Sequence, residues 1–269
     1  MRVKRLLGRH CWTMTAIAVF LYAAIRLAAI GWGYYENREA LGEARDLWME
    51  ARPDAAWGGE FPVTVGVYAY GEDGHPERLP QPRSIFQPLL KLNPDIAGWI
   101  KLNGSRIDYP VVQGPDNEWY LHRNYKGEES RAGSIFMDFR NRPGAEERHT
   151  ILYGHRMKDG TMFGDLKYYT EREYYDAHRE FRLDTLYESY IAEVFSAYYT
   201  TTEFNYIETE FADDAAFGAF LEQIKRRSLY NGDMGISVQD RIVTLSTCDY
   251  LLDPVNGRFV VHARLKRAE

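Results

Sequence analysis

Between residues 98 and 265 the sequence contains many short segments with the composition of β-strands. Turn-forming residues lie between most of these segments. Eight such segments are rich in β-branched and aromatic residues: 98–102, 106–112, 133–138, 149–155, 181–186, 189–200, 241–248 and 258–265. One amphipathic helix interrupts the series over residues 213–227, with an inward face formed by Phe217, Phe220, Leu221 and Ile224. Eight or so strands with few helices predict a mainly β fold, either a barrel or a sandwich.

The N-terminus has the pattern of a membrane-spanning segment. Residues 11–33 are mostly apolar and long enough to cross a bilayer as a helix. Four basic side chains lie in residues 1–10, which places this tail in the cytoplasm and the rest of the chain outside the cell. Arg26 shortens the uninterrupted apolar run to a length that is also typical of a cleaved signal peptide. A retained single-pass anchor is the favoured interpretation, and a cleaved signal stays open.

Residues 34–83 are predicted to connect this segment to a folded domain at 84–269. Within them, residues 36–52 read as a polar helix with one apolar stripe formed by Leu41, Ala44, Leu47 and Trp48. Residues 53–82 contain several Pro and Gly and little periodicity, so they predict a linker or an irregular surface excursion.

The charge of the chain is unevenly distributed. Five of the 33 Lys and Arg residues lie within residues 1–32, where there is no acidic residue. The remainder therefore carries 28 basic against 39 acidic residues, a net charge of −11. A nucleic-acid partner would need a basic surface, so this composition argues against one.

Motifs for metals and nucleotides are lacking from the sequence. Cysteine and histidine do not occur in pairs at ligand spacing, and there is no glycine-rich phosphate-binding motif. We therefore expect neither a metal ion nor another cofactor.

The chain has two cysteines, which are not expected to form a disulfide. Cys11 lies in the apolar N-terminal segment, and Cys248 lies far along the folded body. A lone thiol in an exported domain is either buried and inert or retained for its reactivity.

Three residue types suited to nucleophilic catalysis stand at the ends of predicted strands. Cys248 ends the segment RIVTLSTC, Arg258 begins the next strand after a loop of nine residues, and His155 ends HTILYGH. A thiolate is a nucleophile, an imidazole transfers protons near neutral pH, and an arginine stabilises an oxyanion. From spacing alone, a buried cysteine with a surface histidine and a surface arginine is an equally good interpretation.

The motifs around these residues resemble those of the sortases. The pair LYGH (152–155) and TLSTC (244–248), with an arginine ten residues after the cysteine, is similar to the family signature. The wider match is to class B sortases and covers roughly residues 86–266. It includes NPDIAGWIKL (93–102), IDYPVVQGPDNEWYL (107–121), GSIFMDFRN (133–141), ILYGHRMKDGTMFGDLKYY (151–169) and IVTLSTCDY (242–250).

This resemblance implies an eight-stranded sortase-type β-barrel with an N-terminal helix and one long helix between late strands. It implies a membrane-anchored cysteine transpeptidase that cleaves a C-terminal sorting signal after Thr and forms a thioacyl-enzyme on Cys248. His155 would be the acid and base, and Arg258 would hold the oxyanion or the substrate backbone. The motif cleaved would be an Asn-Pro type or related Pro-x-Thr pentapeptide.

The resemblance also implies the partners and a substrate groove. The substrate would be a surface protein or a pilin, and the acceptor an amine of a peptidoglycan precursor or of a pilin lysine. Groove positions carry over by motif to Asn117, Leu121, Ser246 and Asp249, and less distinctively to Thr202, Tyr206 and Ile207. No acidic cluster corresponds to the calcium site of class A members.

Several alternatives stay open from the sequence. Asp249 or Asp253 would orient His155 if the site were a triad. Among the other histidines, His122 and His149 read as loop residues, His178 as a surface or edge residue, and His262 as a strand residue that points away from the rim. The same site would act as an endopeptidase if water replaced the amine. A surface-displayed module without catalysis would need one of the three central residues to be absent or misplaced.

Overall fold

Eight of the strands close into a barrel in the residues that the computed structural model describes, which are 2–51, 67–70, 76–79, 81–142, 147–230, 235–249 and 251–268. The barrel strands are β3 (Ile96–Lys101), β4 (Asp108–Val112), β5 (Ile135–Met137), β6 (His149–Tyr153), β7 (Glu180–Thr185), β8 (Ser189–Thr201), β9 (Arg241–Cys248) and β10 (Gly257–Arg267). Their order around the barrel is β10-β8-β7-β3-β4-β5-β6-β9. All eight predicted strands are confirmed, and the fold is the barrel rather than the sandwich.

Two parallel pairings within this otherwise antiparallel barrel position the later strands. Strand β4 pairs with β5 in parallel, and β6 pairs with β9 in parallel, while the other six contacts are antiparallel. Strand β9 therefore lies between β6 and β10, although β6 is far from it in sequence. This arrangement brings the ends of β6 and β9 to the same rim of the barrel.

The strands separate two apolar cores because successive side chains point to opposite faces. On β9, Val243 and Leu245 face the core inside the barrel, whereas Ile242 faces an outer core. The outer core is covered by α4 (Asp214–Arg227), which contributes Phe217, Phe220, Leu221 and Ile224.

Helix α4 begins and ends as its sequence predicts. The Asp213 side chain accepts a hydrogen bond of 2.8 Å from the Ala216 amide and so caps the first turn. Lys225, Arg226 and Arg227 occupy the last turn, where basic charge is favoured. The predicted helix over 213–227 is therefore confirmed.

The remaining helices are short, except at the N-terminus. They are α2 (Gln87–Leu92), α3 (Arg172–Ala177) and the 3-10 turns Ser84–Phe86, Trp119–Leu121 and Gly164–Thr170. Helix α1 (Arg2–Glu50) is continuous, where the sequence predicted two separate segments.

The chain divides into two units, residues 1–40 and residues 41–269. In the second unit the last turns of α1 belong to the folded body: Leu41, Ala44 and Trp48 are buried. The Trp48 ring stacks on that of Trp99, with centroids 4.9 Å apart and planes 1° apart. Three of the four residues of the predicted apolar stripe are thus buried.

The expected linker contains a two-stranded antiparallel sheet, β1 (Val67–Tyr70) with β2 (Pro76–Leu79). The rest of that prediction, residues 52–66, 71–75 and 80, lies outside the described residues, as does the side chain of Cys11. In the described part of the chain, one helical segment, Met14–Glu50, includes a stretch long and apolar enough to cross a membrane. A signal sequence would pass the same test of length and composition.

Candidate active site

The register of three adjacent strands brings Cys248, His155 and Arg258 together. Cys248 and Arg258 are direct partners in the antiparallel pair of β9 and β10. Strands β6 and β9 run in parallel, with Tyr153 opposite Ser246. The same register, continued by two residues on each chain segment, places His155 beside Cys248.

Two hydrogen bonds continue the β6–β9 pairing beyond the strand. The Gly154 amide donates to the Ser246 carbonyl at 3.2 Å, and the Thr247 hydroxyl donates to the Gly154 carbonyl at 2.7 Å. The three candidate side chains therefore occupy one rim of the barrel, on the face that carries the outer core. The interpretation of three unrelated residues does not fit this arrangement.

Gly154 allows the chain to reach this position. A Cβ atom there would lie 2.4 Å from Ile135 Cδ1 and 2.9 Å from the Phe163 ring. Because such contacts are too short, any other residue would push the end of β6, and with it His155, away from β5.

The ring of half-buried His155 has a defined partner. Its Nε2 atom lies 2.8 Å from the carbonyl oxygen of Leu121, which only accepts hydrogen bonds. In the neutral ring Nε2 therefore carries the proton, and Nδ1 is the nitrogen that takes up another. Leu121, a predicted groove residue, thus contacts His155 through its backbone.

Arg258 is held by backbone carbonyls of the loop before β10. Its Nη1 atom donates to Gly257 O at 2.9 Å and to Val255 O at 3.2 Å. Gly257 is needed for this tight loop, since a Cβ atom would lie 2.1 Å from the carbonyl oxygen of Asp249. Neutral acceptors leave the guanidinium charge uncompensated, which suits a group facing a developing anion.

Tyr206 and Ser246 form a buried pair beside these residues. The two hydroxyl oxygens lie 2.9 Å apart, and both side chains are almost fully buried. Burial raises the pKa of Tyr206, which the bond to Ser246 and the nearby charge of Arg258 only partly offset. Both predicted groove residues therefore adjoin Cys248.

Asn117 and Ile207 are linked through a buried carboxylate that the sequence analysis missed. Asp138 accepts hydrogen bonds from Asn117 (3.0 Å), from Tyr153 (2.8 Å) and from Arg140, which also donates to the carbonyl of Ile207 at 2.9 Å. Burial alone would raise the pKa of Asp138, yet these bonds, above all those from Arg140, hold it below its usual value. The available signal was an acid at the end of a strand, followed two residues later by an arginine.

Asp249 and Thr202 are the two remaining predicted groove residues. The buried Asp249 carboxylate pairs with Arg156, not with the His155 ring, and Asp253 caps the loop amides of Val255 and Asn256. Neither carboxylate therefore orients His155 as a triad would require. Exposed Thr202 donates its amide to Asn256 O at 3.1 Å.

A cleft of about 400 Å³ opens where the Asp249 side chain lies. Its walls include Arg156, Tyr199, Leu251 and one predicted groove residue, Asp249. The residues that directly follow His155 and Cys248 in sequence, Arg156 and Asp249, thus both line this cleft.

Two of the other histidines, His149 and His262, are buried in the structure. His149 is fully buried as the first residue of β6, so its prediction as a loop residue was wrong. His262 lies mid-strand on β10, as expected, and is fully buried. Over the residues that the structure describes, no group of acidic, histidine or cysteine side chains has the arrangement of a metal site.

Comparisons with known proteins agree with this geometry. The sequence model of the Sortase domain matches residues 100–266. The chain is 38% identical over 268 residues to Sortase B of Listeria monocytogenes, covering 98% of this chain and 99% of the relative. The chain belongs to the sortase family.

Solved structures assign this sortase to class B. It aligns with a Bacillus anthracis protein similar to sortase B at 45% identity and a TM-score of 0.73, covering 88% of this chain and 98% of the other. It also aligns with a Staphylococcus aureus sortase B–substrate complex at 44% identity and a TM-score of 0.67, covering 70% and 88%. This sortase is a class B cysteine transpeptidase, and its closed eight-stranded barrel is the class B fold.

Proposed function

We propose that this sortase cleaves a C-terminal sorting signal after Thr and holds the protein as a thioacyl-enzyme on Cys248. It then transfers the protein to an amine of a peptidoglycan precursor or of a pilin lysine. The observation that carries this assignment is the cross-strand pairing of Cys248 with Arg258, with His155 beside them in the adjoining register.

Each of the three residues has a distinct task in the two half-reactions. Cys248 Sγ attacks the Thr carbonyl carbon, and the C–N bond breaks as His155 protonates the leaving amine. The incoming amine then attacks the thioester, His155 takes up its proton, and the Cys248 thiolate leaves. Arg258 stabilises the oxyanion in both steps because the acceptors of its Nη1 atom, the Val255 and Gly257 carbonyls, are neutral and leave its positive charge in place.

The sorting peptide binds along the outer face of the barrel. Its groove is formed by Asn117, Leu121, Ser246, Thr202, Tyr206 and Ile207. Support comes from the contacts that tie Leu121 to His155 and Tyr206 to Ser246. Asp249 acts from the position after Cys248 in sequence, where its ion pair holds Arg156 next to His155.

The domain arrangement follows from export of the catalytic part. We propose a cytoplasmic tail (1–10), a single membrane anchor (11–33), a connecting helix and linker (34–83) and an extracellular catalytic domain (84–269). The apolar helical segment supports the anchor, and its basic flank supports the orientation.

Trapping the acyl-enzyme tests the assignment of the nucleophile. The full chain, purified in detergent micelles, is mixed with a library of Asn-Pro-x-Thr-x peptides, and the intact protein mass is measured. We expect an added mass equal to the peptide up to Thr, absent from Cys248→Ala. Cys11→Ala is the matched control and retains the adduct. An adduct that persists in Cys248→Ala contradicts the assignment.

The second half-reaction is tested with the peptide that forms the adduct. Addition of triglycine as a small peptide amine should convert the acyl-enzyme to a peptide extended by three glycines. The triglycine concentration is raised until the rate of acyl-enzyme breakdown no longer changes. If the only product is then the peptide with a free carboxylic acid, transfer to an amine is contradicted.

A further inference from the structure

Four buried polar side chains form a continuous hydrogen-bonded line beneath α4. Tyr198 on β8 lies 2.9 Å from His262 Nε2, and His262 Nδ1 lies 2.6 Å from the Thr244 hydroxyl. The same hydroxyl lies 2.6 Å from His149 Nε2, and His149 Nδ1 lies 2.6 Å from the carbonyl oxygen of Glu208. All four side chains are at most 1% exposed.

The carbonyl at the end of this line and the neutral state of the two rings together fix the direction of every bond. A carbonyl only accepts, so His149 donates from Nδ1. Burial holds the pKa values of His149 and His262 below the ordinary 6.5, so both rings are neutral at pH 7. His149 Nε2 then accepts from the Thr244 hydroxyl, Thr244 accepts from His262 Nδ1, and His262 Nε2 accepts from the Tyr198 hydroxyl. Both rings are thus in the same tautomer, and each donor in the line has one acceptor.

Packing alone does not account for four polar groups at this place. They lie among apolar side chains of the outer core such as Phe195, Phe220 and Ile242, where burial of a polar group is costly unless it is bonded. An apolar set would fill the same space without that requirement. The line also does not close on itself within the barrel but ends on a backbone carbonyl of the segment between β8 and α4.

That segment, residues 202–208, is here called the groove wall. It carries Tyr206 and Ile207, and its carbonyls at 207 and 208 are held by two different side chains, the exposed Arg140 and the buried His149. Arg140 donates to the carbonyl of Ile207, and His149 donates to that of Glu208. From the wall, the Tyr206 hydroxyl reaches Ser246, two residues before Cys248.

We propose that His149 is a positioning residue for the sorting peptide. Through its bond to Glu208 it fixes the groove wall, and therefore the places where Tyr206 and Ile207 meet the peptide. Thr244, His262 and Tyr198 keep the His149 ring in the one tautomer and orientation that make this bond. The role rests on the proposed function, because it assumes that the wall binds the peptide.

Two variants of His149 separate positioning from packing. His149→Leu removes the donor to Glu208, whereas His149→Asn places an amide near the position of Nδ1 and retains the donor. We expect His149→Leu to raise KM for the trapped Asn-Pro-x-Thr-x peptide about tenfold, the effect of one lost hydrogen bond, with kcat changed less than twofold. His149→Asn should recover most of the KM.

Ile224→Ala is the matched control, since it weakens the same outer core but removes none of the hydrogen bonds in the line. It should lower Tm while KM stays within twofold of wild type. Equal KM increases in His149→Leu and Ile224→Ala, or no recovery in His149→Asn, would overturn the proposal.

Thr244→Val provides a second route if His149→Leu does not fold. It keeps the shape of the side chain but frees the His149 ring to turn, so KM should rise several-fold. An unchanged KM in folded Thr244→Val overturns the proposal. Failure of the proposed function is distinguished by the Cys248→Ala variant, which would then still process the peptide.

Discussion

The Arg258 side chain is oriented by hydrogen bonds to backbone carbonyl groups. Both hydrogen bonds of its Nη1 atom go to carbonyls, of Val255 and Gly257, so the loop orients the guanidinium without cancelling its charge. A carboxylate partner would have neutralised the field at Cys248. The nearest carboxylate in sequence to the nucleophile, that of Asp249, is instead paired with Arg156.

Substitution of Arg258 should therefore act on the chemical step. We expect Arg258→Ala to lower kcat about 10²- to 10³-fold, the usual effect of removing an oxyanion donor, with KM for the peptide changed only a few-fold. Arg258→Lys should recover part of the loss, because it restores charge but not the planar fork. Steady-state kinetics of the full chain measure both constants. A large rise in KM with unchanged kcat would show that Arg258 clamps the peptide instead.

At the scale of elements, the end of β6 is defined by its packing against β5. Gly154 lies so close to Ile135 and Phe163 that an added methyl group collides with both. Asp138 and His155 lie just after these two strands, so the close contact constrains the distance between the two residues.

Gly154→Ala should displace His155 more than it destabilises the barrel. Overpacking of this size costs about 1–3 kcal/mol, while a displaced catalytic group lowers kcat by about 10- to 100-fold. Ile135→Val removes the Cδ1 atom that the new methyl group meets first, so the double variant should regain part of the kcat. Thermal unfolding of both variants is the control for stability. If Gly154→Ala retains full kcat, the close packing has no role in placing His155.

The elements of the barrel are predictable because their signals are local. Alternating apolar residues bounded by turn residues indicate all eight strands, and the spacing of Phe217 to Ile224 indicates α4. Barrel closure was implied by the family resemblance and not by these local signals, since the parallel pairs β4–β5 and β6–β9 join segments whose pairing leaves no local trace. Helix α1 was predicted in two pieces because residues 11–33 are apolar and residues 36–52 are polar with one apolar stripe, yet a change in polarity does not end a helix.

The candidate site divides in the same way. Cys248, His155 and Arg258 were found through strand-end motifs that are contiguous in sequence. The contacts of the groove wall were missed, because Arg140 and Ile207 are 67 residues apart and His149 and Glu208 are 59 apart. His149 was read as a loop residue although it begins the predicted strand 149–155, because local sequence does not separate the first residue of a strand from the loop before it.

At the scale of the whole molecule, the buried histidines make stability depend on pH. Burial lowers the pKa of His149 from its ordinary 6.5 to about 4, against the opposing effects of its bond to Glu208 and of the charge on Asp138. Burial lowers the pKa of His262 well below 6.5, with a contribution from His149. Between pH 6.5 and 4 the unfolded chain therefore binds protons that the folded chain does not. The free energy of unfolding thus decreases as the pH is lowered.

Acid should thus destabilise the protein before its carboxylates titrate. The His149 contribution is complete above pH 6.5, and about 3 kcal/mol of it is lost by pH 4. Near pH 5 the His149 ring alone gives a slope of about 1.2 kcal/mol per pH unit, and His262 adds to the slope in the same direction. Asp138 and Asp184, whose pKa values are lowered, add their effect only at lower pH, where their stabilising charge is lost.

Urea unfolding of the full chain in non-ionic detergent, followed by near-ultraviolet circular dichroism from pH 7.5 to 4.5, measures this slope. His149→Asn removes one titrating ring and should reduce the slope near pH 5 by about 1 kcal/mol per pH unit. Ile224→Ala removes no titratable group, so it should lower the unfolding free energy equally at each pH and leave the slope unchanged. If wild type and His149→Asn have the same slope, His149 is not held neutral by the fold, because a ring that charges equally in both states cannot link stability to pH.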